Sequence, residues 1–110
     1  MTELSAPVDA RVTITYCTQC RWLLRASWLA QELLTTFSAE ITELVLRPGT
    51  GGVLRIEVGD TTIFDRATDG GFPDLNVVKR LVRDRIAPDR KLGHIDRMLE
   101  DRSAVEPVSS

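Results

Sequence analysis

The sequence predicts an α/β (α+β) fold: a two-layer sandwich with a four-stranded mixed sheet and both helices on one face. Three observations predict it. The hydrophobic period changes from two to about 3.6 within residues 11–38. Three short strand-like runs separated by glycine turns then follow. A second amphipathic helix closes the patterned part of the chain.

Taken in order, "RVTITY" (11–16) alternates, with Val12, Ile14 and Tyr16 on one side and Arg11, Thr13 and Thr15 on the other, as a strand requires. "RWLLRASWLAQELLTTFS" (21–38) places Trp22, Ala26, Leu29, Ala30, Leu33 and Phe37 on one helical face. A second strand is predicted at about 41–47, ended by Pro48-Gly49. "VLRIEV" and "TTIFDR" read as the third and fourth strands, joined by a Gly59-Asp60 hairpin turn. "ATDGG" reads as a loop. In "FPDLNVVKRLVRDRIA", Leu75, Val78, Val82 and Ile86 form the helical stripe, and Pro88 ends it.

The order is therefore β-α-β-β-β-α. The first β-α-β should cross over in parallel and right-handed, and the last two strands should form an antiparallel hairpin. The predicted strand order is 2-1-3-4, with the first strand central, which is a thioredoxin-like two-layer sandwich. Residues 1–10 are expected to be a flexible leader, 11–97 the domain, and 98–110 a disordered tail.

The whole chain has 110 residues, of which 43% are hydrophobic and 27% charged, in the range of one ordinary globular domain. A net charge of −2 gives no reason to expect nucleic acid as the partner. The first ten residues lack a basic start followed by an apolar run, and no apolar run approaches the roughly 18 residues of a membrane span. The expectation is a cytoplasmic protein that meets neither nucleic acid nor membrane.

In "TYCTQCRW" (15–22) lie the only two cysteines, Cys17 and Cys20, where the first strand ends and the first helix begins. A CxxC pair is a redox dithiol, part of a metal site, or a structural disulfide. Structural zinc needs about four ligands, whereas the chain offers two cysteines and one distant histidine, His94. A disulfide closing so short a loop removes little chain entropy. The redox reading has a physical cause: helix N-terminal amides carry partial positive charge and stabilise a thiolate. Arg21 can add a cation, and Thr18 and Gln19 space the sulfurs so that one attacks while the other resolves. No metal or resident cofactor is expected.

With "YCTQC" after a strand, "PGTGG" before the third strand and "DGGF" before the last helix, the chain resembles the Rdx family, the selenoprotein W, T and H group, in its bacterial CxxC form. The resemblance spans about Arg11 to Arg97. It implies a thioredoxin-like fold, a redox-active centre at Cys17 and Cys20, and a part in cell redox homeostasis. It also implies dealings with protein or small-molecule thiols and disulfides, with glutathione as a candidate co-substrate. In that family selenocysteine occurs at the position of Cys20. The thioredoxin analogy and the helix argument instead favour Cys17, the usually more exposed position, as first attacker. Unlike thioredoxins, the chain has Tyr16 rather than tryptophan before the pair. It has no acid in "RVTITY", and Gly51-Gly52 stand where thioredoxins have a cis-proline.

Leu24 and Trp28 fall off the core stripe, among polar residues. They either pack on the C-terminal extension or form a partner patch, for a homodimer or a client protein. Phe72 is a candidate cover for the sulfurs. His94 reads as a surface or capping residue, and "GTGG" lacks the Lys-Ser/Thr of a phosphate loop. The function expected is thiol–disulfide exchange by the dithiol. The alternative is a redox-sensing interaction module without turnover.

Overall fold

The computed structural model describes residues 10–93. The expected leader and tail, the last part of the expected domain and His94 fall outside them, Ala10 excepted. Strands β1 (Arg11–Cys17), β2 (Glu43–Gly49), β3 (Leu54–Val58) and β4 (Thr61–Asp65) form one sheet in the order β2-β1-β3-β4. Helix α1 (Leu23–Thr36) follows β1, a short helix α2 (Arg66–Asp69) follows β4, and α3 (Leu75–Ile86) comes last. β1 pairs in parallel with β2 and antiparallel with β3, so it is central, as the sequence predicts.

The two-residue period of β1 explains its place. Val12 and Ile14 are fully buried and Tyr16 nearly so, in one core with Ala26, Leu29 and Leu33 of α1. Leu54, Ile56 and Val58 of β3 and Val78 and Val82 of α3 complete that core. The amphipathic stripes read from the sequence are thus the ones that pack, and α1 and α3 share a face of the sheet, bridged by Lys79 Nζ to Glu32 Oε1 at 3.1 Å. Phe37 is fully buried at the end of α1 with the Arg90 guanidinium over its ring. The opposite face of the sheet carries the polar alternates, among them Thr13, Arg47 and Glu57, which line a shallow depression.

Three local details differ from the expectation. Helix α1 starts at Leu23, not Arg21, because residues 18–21 form a turn in which Arg21 adopts a left-handed φ of 61°. β2 runs on through Pro48 to Gly49; Pro48 is tolerated because β2 is an edge strand. The predicted loop at 67–71 begins with α2. Asp65 caps it, accepting the Ala67 N–H at 3.0 Å, while Asp69 Oδ2 accepts the Asp65 N–H at 2.9 Å. Among the described residues no helix is long and apolar enough to cross a membrane.

Candidate functional site: the Cys17–Cys20 pair

Cys17 is the last residue of the central strand, paired with Gly49 of β2. Gly49 is required there. A Cβ on it would lie 2.9 Å from Val53 Cγ1 and 3.2 Å from Thr15 Cγ2. Its carbonyl accepts both the N–H of Thr18 (3.0 Å) and the Thr18 hydroxyl (3.1 Å), which fixes the start of the turn carrying Gln19 and Cys20. The turn closes with Arg21 N–H to Thr18 O (3.2 Å) and Trp22 N–H to Cys17 O (3.4 Å).

Within this frame Cys20 Sγ donates to Cys17 Sγ at 2.6 Å, and both cysteines are free thiols. Their surroundings differ sharply. Cys17 is 0% exposed, whereas Cys20 lies on the surface. This reverses the expectation that Cys17 is the more exposed sulfur. The strand ladder buries the first cysteine, and the turn lifts the second into solvent.

The electrostatics divide the pair in the same way. Cys17 has its pKa lowered below the usual thiol value, chiefly by the S–H of Cys20. Burial opposes this, while the N–H groups of Gly52, Cys20 and Gln19 reinforce it. Cys20 is pushed up, first because its proton is held by Cys17, then by burial and by the charge of Cys17. The Gly52 N–H and the Arg66 cation pull it the other way. The expected helix-terminus field therefore gives way to nearer donors, the amides of the CxxC turn and of Gly52. Gly51 and Gly52 both have left-handed φ values, 74° and 75°, which glycine adopts without Cβ strain. Arg21 was the expected cation, but the arginine acting on Cys20 is Arg66, at the start of α2.

Phe72 packs edge-on against Trp22, with centroids 4.7 Å apart, and carries the Arg25 guanidinium on its ring at 4.4 Å. It therefore braces the start of α1, the turn of chain after the pair. With Arg25, Trp28, Leu29 and Pro73 it lines a groove of about 270 Å³. Leu24 is 80% exposed and Trp28 49%, as their angular position predicts, and Leu23 beside them is 49% exposed. No group of three or more His, Cys, Asp or Glu residues able to hold a metal occurs among the described residues.

Sequence reasoning missed Gly52 and Arg66. The first was within reach: antiparallel pairing of Tyr16 with Leu54 carries Gly52 opposite the turn that follows Cys17. Arg66 gives no local signal, since only the fold brings it back to the pair.

A four-stranded mixed sheet with a CxxC pair at the end of its central strand defines a small thioredoxin-like protein. Within that class the Rdx family model matches residues 11–84. The chain belongs to the Rdx family. Two solved structures agree. A crystal structure of a protein from Bordetella parapertussis shares 58% identity, covering 67% of this chain and 94% of that one, with a TM-score of 0.66. The selenoprotein W-related protein from Vibrio cholerae shares 49% identity, covering 67% and 92%, with a TM-score of 0.66. None of the curated proteins compared with the chain matches it.

Proposed function

We propose that the protein is a thiol–disulfide exchange protein in which Cys20 meets the substrate and Cys17 resolves. The observation that carries this reading is two thiols 2.6 Å apart with opposite exposure. A disulfide substrate reaches the exposed sulfur. The proton shared by the pair passes to Cys17, and the Cys20 thiolate attacks. A Cys20–substrate disulfide forms and one substrate thiolate leaves. Cys17 gives its proton to the departing thiolate and, now a thiolate itself, attacks Cys20 Sγ. The internal disulfide forms, the second substrate thiolate leaves, and two electrons have passed to the substrate. Cys20 is ionised less often than Cys17, but a thiolate of higher pKa is the stronger nucleophile, which offsets part of that loss. A thiol reductant, glutathione being a candidate, reverses the steps. Free thiols that cycle in this way suit a reducing compartment such as the cytoplasm.

The test is the pair of single variants treated with a small aromatic disulfide, read by mass spectrometry. Cys17→Ser should trap a mixed disulfide on Cys20 rapidly. Cys20→Ser should react slowly, because its remaining sulfur is buried. Fast trapping on Cys17 with an inert Cys20 restores the opposite order of attack.

One observation favours the sensing alternative: exposed Leu23, Leu24 and Trp28 lie on the helix that leaves the redox turn. A homodimer or client bound there only in one redox state, without turnover of any disulfide, would select it.

A further inference from the structure

Arg66 is separated from the pair by more than forty positions, yet the fold brings its guanidinium to the Gly52 carbonyl and the Trp22 ring. Its Nη1 donates to Gly52 O at 3.5 Å, and Gly52 is the residue whose N–H faces the sulfurs. Its guanidinium carbon lies 5.0 Å from the ring centroid of Trp22, the residue that follows the CxxC turn and caps α1. Its Nε is buried with no hydrogen-bond partner. Among the described residues Arg66 makes no ion pair with a carboxylate. Arg66 as a residue is half-buried, and an anion forming beside its guanidinium would compensate the buried, unpartnered Nε.

Resting on the exchange reading above, we propose that Arg66 is an electrostatic positioning residue of the redox site, whose missing anion is the thiolate that develops at Cys20. When the pair has lost one proton, the remaining proton sits on Cys20 and the charge on Cys17. During exchange the charge moves to Cys20, the sulfur on which the Arg66 cation acts. The guanidinium needs no rearrangement to receive it, because the Trp22 ring and the Gly52 carbonyl already hold it in place. The same contacts couple it to the Gly52 amide, so one side chain steadies both the cation and the amide that the sulfurs face.

The experiment isolates Cys20 in a Cys17→Ser background and follows its alkylation by neutral iodoacetamide against pH. This reaction needs no disulfide substrate, so it can fail independently of the exchange reading, which rests on the mixed-disulfide trap. Arg66→Gln should slow alkylation at neutral pH by about two- to tenfold, the size expected for one partly screened charge. Added salt should shrink the difference between the two proteins. Arg66→Lys keeps the charge and should restore most of the rate, and thermal midpoints report any loosening of α2 separately. Unchanged alkylation in Arg66→Gln overturns the proposal. So does equal slowing by Gln and Lys, which would mark a purely structural role.

Discussion

Replacing Gly52 by alanine separates backbone strain from amide donation. Gly51 and Gly52 are both left-handed, so alanine at either costs about 1–2 kcal/mol. Neither costs much more by collision: the nearest atom to a Cβ on Gly52 is Arg66 Nη1 at 3.8 Å, and a Cβ on Gly51 meets nothing within 4 Å. For a domain of this size each kcal/mol lowers the melting midpoint by about 4–8 °C, so both variants should melt about 5–15 °C lower. Of these two glycines, Gly52 is the one that directs its N–H at the sulfurs. Relaxing the strain at Gly52 swings that peptide away, and the Cys17 pKa should then rise toward the free thiol value. Gly51→Ala should leave it in place. The assay is ultraviolet thiolate absorbance against pH in the reduced protein, beside thermal unfolding of the same samples. Equal movement of the titration in both variants, or none in Gly52→Ala despite its lowered midpoint, would refute the assignment of the amide as a thiolate donor.

Other consequences follow from the same geometry. Stability of the reduced protein should rise with pH from the lowered titration of Cys17 up to the usual thiol range, because there the unfolded chain holds the extra proton. Above that range it should fall, because folded Cys20 retains a proton that the unfolded chain has lost; a double-serine variant, melted across the same pH series, should lack this dome. Gly49→Ala should cost about 1–3 kcal/mol in denaturant unfolding, since its Cβ would press on Val53 and Thr15. Arg21→Gly should be neutral or stabilising by up to about 1 kcal/mol, as it relieves a left-handed arginine, and should leave thiolate absorbance unchanged. Trp28→Gln should change stability by under about 1 kcal/mol while weakening self-association or client binding in sedimentation; a large loss of stability with association intact would make it a core residue.

The sheet order was legible because a strand, helix and strand in succession call for a parallel crossover and Gly59-Asp60 for an antiparallel hairpin. The apolar stripe of α1 and the core face of β1 were read residue by residue. What escaped reading has specific causes. The start of α1 was misplaced because arginine is not a residue that marks a left-handed turn, and Arg21 occupies one. Helix α2 was missed although Asp65 and Asp69 carry its capping signals, because two glycines follow at once and mask so short an element. The relative exposure of the sulfurs could not be read from CxxC, since it depends on Gly49 and Gly52 closing over Cys17 from two other strand ends. Arg66 depends on tertiary return of the chain alone.

The placement of Cys17 within a strand ladder, and of Cys20 in the turn after it, has a mechanical consequence. The first sulfur is attached to the central strand of the sheet, the second to a turn held by a few backbone hydrogen bonds. Forming the disulfide ties a compliant turn to a fixed support and leaves the support where it was. Slowing of amide hydrogen exchange on oxidation should then be confined to the turn and the first residues of α1, with β1, β3 and the core unchanged. The surface through which another molecule can feel the redox state is correspondingly small, and it is the place where Leu23 and Leu24 face solvent.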